Sequence, residues 1–138
     1  MTIGGSELIS ALAASAQSET NTFTPFTGSA TSSFPSLKQV NAGVLNIGYA
    51  EAGPSDGTLV ILLHGWPYDI HSYVDVAPIL ASAGYRVIVP FLRGYGSTTF
   101  LSSTTVRDAE EGAVALDVID LMDALEIKRA VVGGFDWG

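Results

Sequence analysis

Cysteine is absent from the 138 residues, which removes disulfide bridges, thiolate nucleophiles and cysteine metal sites. Histidine is scarce, and the two copies, His64 and His71, complete no zinc site without carboxylate help. Basic residues are few as well: six Lys and Arg stand against fourteen Asp and Glu, for a net charge of −8. A surface of that sign repels phosphate backbones and anionic lipid, so neither nucleic acid nor membrane is expected as a partner. Charged residues of both signs make up only 14% of the chain, below the roughly 25% of an ordinary globular domain, which excludes a long solvated tail as the main theme. Long apolar runs are missing too. The longest, Leu59 to Leu63, is strand-sized, whereas a membrane-spanning helix needs about 20 residues. No Gly-Lys-Ser/Thr follows a glycine loop, and Gly94-Tyr95-Gly96 lacks the third spaced glycine of a dinucleotide turn, so neither cofactor nor metal is expected.

What is present is apolar: 47% of residues, enough for one buried core in one domain. Residues 1–36 stand apart. From Ser15 to Ser36 half the positions are Ser or Thr, the only charge is Glu19, and Pro25 and Pro35 act as breakers, so this stretch reads as an extended arm. Ser6 to Ala16 has the pattern of a short helix, or of a secretory remnant ending in Ala14-Ser15-Ala16. No Lys or Arg precedes Lys38 to supply a basic n-region, so a cytoplasmic location is expected, with export as the alternative.

Residues 37–138 read as the domain proper. Lys38 to Val40 and Val44 to Glu51 predict a hairpin turning near Asn41-Ala42-Gly43. Thr58 to Leu63 predicts a central strand buried on both faces. Ser72 to Ala83 predicts a helix with Val76, Ile79, Leu80 and Ala83 on one side and Gly84 as its stop. Arg86 to Pro90 predicts a second buried strand, Thr105 to Leu125 a long helix, and Arg129 to Val132 a third buried strand. Along the long helix Val114, Val118, Leu121 and Leu125 form the apolar stripe, while Asp117, Asp120 and Asp123 read as a solvated face. Strand, helix, strand, helix, strand predicts a mostly parallel, doubly wound α/β sheet whose chemistry gathers at the carboxyl ends of its strands.

Two segments fall at those ends: His64-Gly65-Trp66-Pro67 and Gly134-Phe135-Asp136-Trp137-Gly138. The second has small residues two before and two after a polar one, the mark of a sharp strand-to-helix turn too crowded for β-carbons. Such a turn thrusts the central side chain out above the sheet, which makes Asp136 a candidate nucleophile.

On these residues the sequence resembles the α/β-hydrolase family, and within it the branch with an aspartate nucleophile, the epoxide hydrolases and haloalkane dehalogenases. The likeness spans about Lys38 to Gly138. It rests on the HG-x-P turn (His64 to Pro67), the R-G-Y-G-S loop (Arg93 to Ser97) and the D-W-G elbow (Asp136 to Gly138), each after its own strand. The resemblance implies a small-molecule substrate and attack by Asp136 on a substrate carbon, giving an alkyl ester that water hydrolyses. It assigns the oxyanion donors to the backbone N–H groups of Trp66 and Trp137, and leaves Pro67, which has no N–H, to shape the turn. By the same likeness His64 supports its loop rather than moving protons. His71 reads as a surface or capping residue, and Arg93 as the anchor of its own loop.

Trp66 stands where many haloalkane dehalogenases carry an Asn halide donor, which favours epoxide opening. Trp137 argues against fluoroacetate-type dehalogenases, whose elbows usually carry Arg there. Phe135 in place of a common His, and Phe91-Leu92 in place of Asp-Leu before Arg93, imply a divergent branch. The family's catalytic histidine, its orienting acid and its helical cap follow the elbow. The chain is therefore expected to be the N-terminal half of such a fold, truncated at the elbow and inactive alone, and to need a further segment, covalent or as a separate chain, to complete the sheet. Two other readings stand beside this one: a haloalkane dehalogenase, and a non-catalytic α/β-hydrolase-like binding protein in which Asp136 is only a turn residue.

Overall fold

The structure, a computed structural model, describes residues 34–138. The readings of the Ser/Thr-rich arm up to residue 33 and of Ser6 to Ala16 fall outside the described residues. A β-hairpin comes first: β1 (Leu37–Ala42) and β2 (Leu45–Ala52) pair antiparallel with Ala42 opposite Leu45, so the turn sits at Gly43-Val44. The strand β3 (Thr58–Leu63) follows, then a 3-10 turn (Ile70–Tyr73), helix α1 (Val76–Ser82) and strand β4 (Tyr85–Pro90). A two-residue strand, β5 (Thr99–Phe100), precedes helix α2 (Glu111–Ala124) and strand β6 (Val131–Gly134).

One sheet holds all of these strands in the order β1-β2-β4-β3-β6, with β5 pairing to β2. It is mixed. The pairs β4·β3 and β3·β6 are parallel, and the pairs formed by β2 are antiparallel. The period-2 geometry of a strand splits the run Leu59 to Leu63 between two cores. Leu59, Ile61 and Leu63 face a cluster with Leu45, Ile47, Ile88, Val114 and Leu121, so α2 covers that side. Val60 and Leu62 face the other cluster with Val87, Val89, Ile70 and Ala77, so α1 and the 3-10 turn cover the opposite side. The β3-α1-β4 and β4-α2-β6 crossovers thus bring the carboxyl ends of three parallel strands together, with β3 in the middle.

Both helices begin later than their periodicity predicts. A helix starting at Ser72 would carry Pro78 in its interior and lose a backbone bond there; starting at Val76 it carries Pro78 in the first turn, where no N–H is needed. The face turned inward is Ala77 and Leu80, while Val76 and Ile79 are exposed. Gly84, at φ +88°, ends α1 as expected. Before α2, the Ser102 hydroxyl accepts the Thr104 N–H, Arg107 donates to the Ser102 and Thr105 carbonyls, and the Asp108 carbonyl is taken by Arg93. Side chains thus bond backbone groups between Ser102 and Asp108, the Ser102 hydroxyl offering the Thr104 N–H an alternative to a helical partner.

The third strand lies two residues later than expected and is not buried. With only β3 beside it among the described residues, Val131 and Val132 are 57% and 52% exposed. β5 carries no signal in the sequence, since two residues are too short for any alternation to register. The core itself yields a test. Leu121→Ala, at a site 1% exposed, is expected to lower unfolding free energy by about 2–5 kcal/mol, while Leu101→Ala, half exposed, changes it by less than about 0.5 kcal/mol; urea denaturation measures both.

Candidate active site

β6 ends at Gly134, and the chain reverses through Phe135, Asp136 and Trp137, closed by the Gly138 N–H on the Phe135 carbonyl at 3.0 Å. Asp136 takes φ +56°, in the left-handed region that residues other than glycine seldom occupy. Contacts around it explain the flanking glycines. A Cβ on Gly134 would lie 2.4 Å from the Gly138 carbonyl carbon, and one on Gly138 would lie 2.1 Å from the Leu63 oxygen. A Cβ on Gly65 would lie 2.4 Å from the Asp136 Cβ. The crowding therefore joins two segments that lie far apart in sequence, the turn after β3 and the turn after β6.

The result is an exposed carboxylate with one oxygen already engaged: the Trp66 N–H donates to Asp136 Oδ1 at 2.8 Å. Trp137 is adjacent and exposed, but among the described residues its N–H makes no hydrogen bond to that carboxylate. The Trp66–Pro67 peptide is cis.

His64 lies behind this turn with no exposure. Its Nε2 accepts the Leu92 N–H at 3.1 Å, its Nδ1 faces the Gly65 carbonyl at 3.4 Å, and Tyr95 meets the ring edge-on at a centroid distance of 4.7 Å. Desolvation, only partly offset by the Gly65 hydrogen bond, pushes the imidazole below its ordinary pKa. A neutral ring accepting through Nε2 ties the turn after β3 to the turn after β4. His71 is remote from that role. Asp69 Oδ1 accepts both its backbone N–H at 2.9 Å and its Nδ1 at 2.8 Å, at the start of the 3-10 turn on the surface.

Arg93 anchors more than its own loop. Nε and Nη2 donate to the two Asp117 oxygens, each at 2.7 Å, Nη1 donates to Asp108 Oδ1 at 2.7 Å and to the Asp108 carbonyl at 3.0 Å, and Nη2 reaches the Ala113 carbonyl at 3.2 Å. Asp117 is thereby 8% exposed, which corrects its reading as part of a solvated face. The bidentate Asp117 bonds dominate in raising the guanidinium pKa. Its partner lies 24 residues away, so no local pattern announces the pair.

Above these anchors a pocket of about 200 Å³ is lined by Trp66, Leu92, Arg93, Tyr95, Ala109, Val114 and Trp137. An open recess of about 430 Å³ beside it is bounded by Glu111, Asp136, Trp137 and Gly138. Among the described residues no three His, Asp or Glu side chains converge as metal ligands, and no helix is long and apolar enough to cross a membrane. The assembly amounts to a carboxylate on a strained bend that bounds an open recess, one backbone donor on it, and an apolar pocket that shares Trp137 with that recess.

Residues 58–138 match the family described as the alpha/beta hydrolase fold. The chain is 34% identical over 104 residues to Epoxide hydrolase A of Mycobacterium tuberculosis, covering 75% of this chain and 32% of that protein. It is 33% identical over 94 residues to a haloalkane dehalogenase of Psychrobacter cryohalolentis, covering 68% of this chain and 30% of that one. A solved structure from Klebsiella pneumoniae, of a protein provisionally named an epoxide hydrolase, superposes with a TM-score of 0.76 at 58% identity, over 80% of this chain and 36% of that chain. The chain thus spans about a third of the length of these relatives.

Two outcomes test the anchors. Asp117→Ala removes the bidentate partner of Arg93 and leaves it Asp108 and two backbone carbonyls, and is expected to cost about 1–3 kcal/mol of stability by urea denaturation. Because burial holds the folded-state pKa of His64 below the value near 6.5 of the unfolded chain, the unfolded chain binds more protons between those two values. Stability is therefore expected to fall as pH drops through 6.5 and to level off below the folded-state pKa. Unfolding free energies between pH 8 and 5 are expected to show this component in the parent and to lack it in His64→Gln.

Proposed function

The chain belongs to the α/β-hydrolase fold family, and on that premise we propose that it is the nucleophile-bearing part of a hydrolase that opens an epoxide through a covalent ester on Asp136. The observation that carries the reading is the 2.8 Å hydrogen bond from the Trp66 N–H to Asp136 Oδ1 on an exposed bend. It divides the labour of the two carboxylate oxygens. Oδ2 is free to attack an epoxide carbon: the new C–O bond forms there as the ring C–O bond breaks, and the released alkoxide takes a proton from an acid of the completed site. Oδ1 becomes the ester carbonyl while keeping its backbone donor. Water then adds to the ester carbon as one of its protons passes to a base, restoring the proton spent on the first alkoxide. Oδ1 takes the negative charge of the tetrahedral intermediate, and on collapse the departing alkoxide takes the remaining water proton, leaving the carboxylate and a diol. The Trp137 N–H, one residue on, is the second donor in this scheme.

The pocket of about 200 Å³, which shares Trp137 with the recess bounded by Asp136 and is walled by Trp66, Tyr95 and Val114 as well, suits the apolar substituent of such a substrate. Two features favour completion of the site by a further segment. His64 is buried and committed to Leu92, and His71 is bonded to Asp69 away from the elbow, so neither is positioned to activate the hydrolytic water. Val131 and Val132, exposed on opposite faces of the strand β6, leave apolar surface on both sides of the sheet for such a segment to cover. The 138 residues alone are accordingly proposed to complete no catalytic cycle. Halide displacement is the second reading, favoured by the likeness to the Psychrobacter cryohalolentis dehalogenase.

In the complete protein Asp136→Asn is expected to lower kcat by about 10⁴-fold or more, measured by diol formation from a small apolar epoxide within the first minutes, before any deamidation. Full activity in that variant removes Asp136 from the chemistry. Halide release from a haloalkane without diol formation selects the second reading.

A further inference from the structure

The Leu63 carbonyl, at the end of β3, is where the two turns of the site meet. It accepts the Phe135 N–H at 3.4 Å, a long rung at the end of the β3–β6 ladder. It is also the atom that a Cβ on Gly138 would strike. Three residues beyond Leu63 is Trp66, whose N–H is on Asp136. A carbonyl oxygen has two lone pairs, and a second donor, the Tyr73 hydroxyl, binds this one at 2.8 Å, closer than the ladder rung does. Tyr73 closes the 3-10 turn whose start Asp69 caps, and its ring lies tilted against Phe135 with centroids 6.0 Å apart. One side chain therefore holds the end of β3 through its hydroxyl and the residue before Asp136 through its ring.

We infer that Tyr73 is a positioning residue for the reaction at Asp136, setting the spacing between the Trp66 N–H and the Asp136 carboxylate through the Leu63 carbonyl and the Phe135 ring. The inference rests on the proposal that Asp136 is the nucleophile. Tyr73 touches neither Asp136 nor the pocket, so its effect is on geometry and not on substrate affinity. Burial raises the phenol pKa, which keeps the hydroxyl a donor through the neutral range.

The test is Tyr73→Phe in the complete protein, which keeps the ring and removes the hydroxyl. A misplacement of about 1 Å at a reacting centre costs about 10²-fold in rate; the smaller relaxation left by one lost hydrogen bond is expected to lower kcat about tenfold, with KM unchanged. The amide resonance of Trp66 is expected to shift and to exchange faster with solvent, because its contact to Asp136 loosens. A variant with parental kcat, or one that changes KM alone, overturns the inference, as does a Trp66 amide that stays where it is. Asp136→Asn separates the two levels: if that variant stays active the nucleophile assignment fails, while the Trp66 amide in Tyr73→Phe still reports on positioning by itself.

Discussion

Two backbone turns packed against each other, one after β3 and one after β6, form the constraint on which the candidate site depends. The parallel pairing of Leu62 and Leu63 with Gly133 and Gly134 leads both strands to the same edge of the sheet. There the turn residues crowd until only hydrogen fits on Gly65, Gly134 and Gly138. That crowding leaves one direction for the Asp136 side chain, outward, and leaves the Trp66 N–H within hydrogen-bonding range of it. A left-handed Asp136 costs free energy, and the packed strand ends on either side of it hold it there.

Three anchors keep those turns from relaxing. His64 fastens the first turn to the backbone at Leu92, Arg93 fastens the neighbouring loop to α2 through Asp117 and to the preceding segment through Asp108, and Tyr73 fastens the end of β3. Each is a buried or half-buried polar group with its partners supplied, so each adds rigidity without leaving an unpaired charge in the interior. The anchors share a logic: they come from elements on both faces of the sheet and converge on its carboxyl edge. A site whose donors are fixed before substrate arrives needs little reorganisation as charge develops.

Much of this arrangement is legible in the amino-acid sequence, for identifiable reasons. The run Thr58 to Leu63 reads as a strand buried on both faces because both faces are indeed covered, and the glycine spacing around Asp136 reads as a crowded bend because sterics leave no other residue there. Asp117 is read wrongly because helical periodicity treats a carboxylate as solvent-seeking and carries no information about an arginine brought in from a distant loop. The starts of both helices are misread: Pro78 belongs to a first turn, and ahead of α2 the backbone is bonded by the side chains of Ser102, Arg107 and the distant Arg93. Tyr73 carries no sequence signal at all, since its significance lies in a hydrogen bond to a main-chain oxygen that only the fold supplies.

The covalent role of Asp136 is the claim on which the functional account depends, and isotope transfer addresses it directly. A single turnover of the complete protein on an epoxide in oxygen-18 water, followed by mass analysis of both the product and the peptide containing Asp136, follows the water oxygen atom by atom. A covalent ester on Asp136 leaves the diol unlabelled and places one heavy oxygen in the Asp136 carboxylate. Label in the first diol formed, with the Asp136 peptide at its natural mass, would mean that water attacks the substrate directly and would contradict that ester.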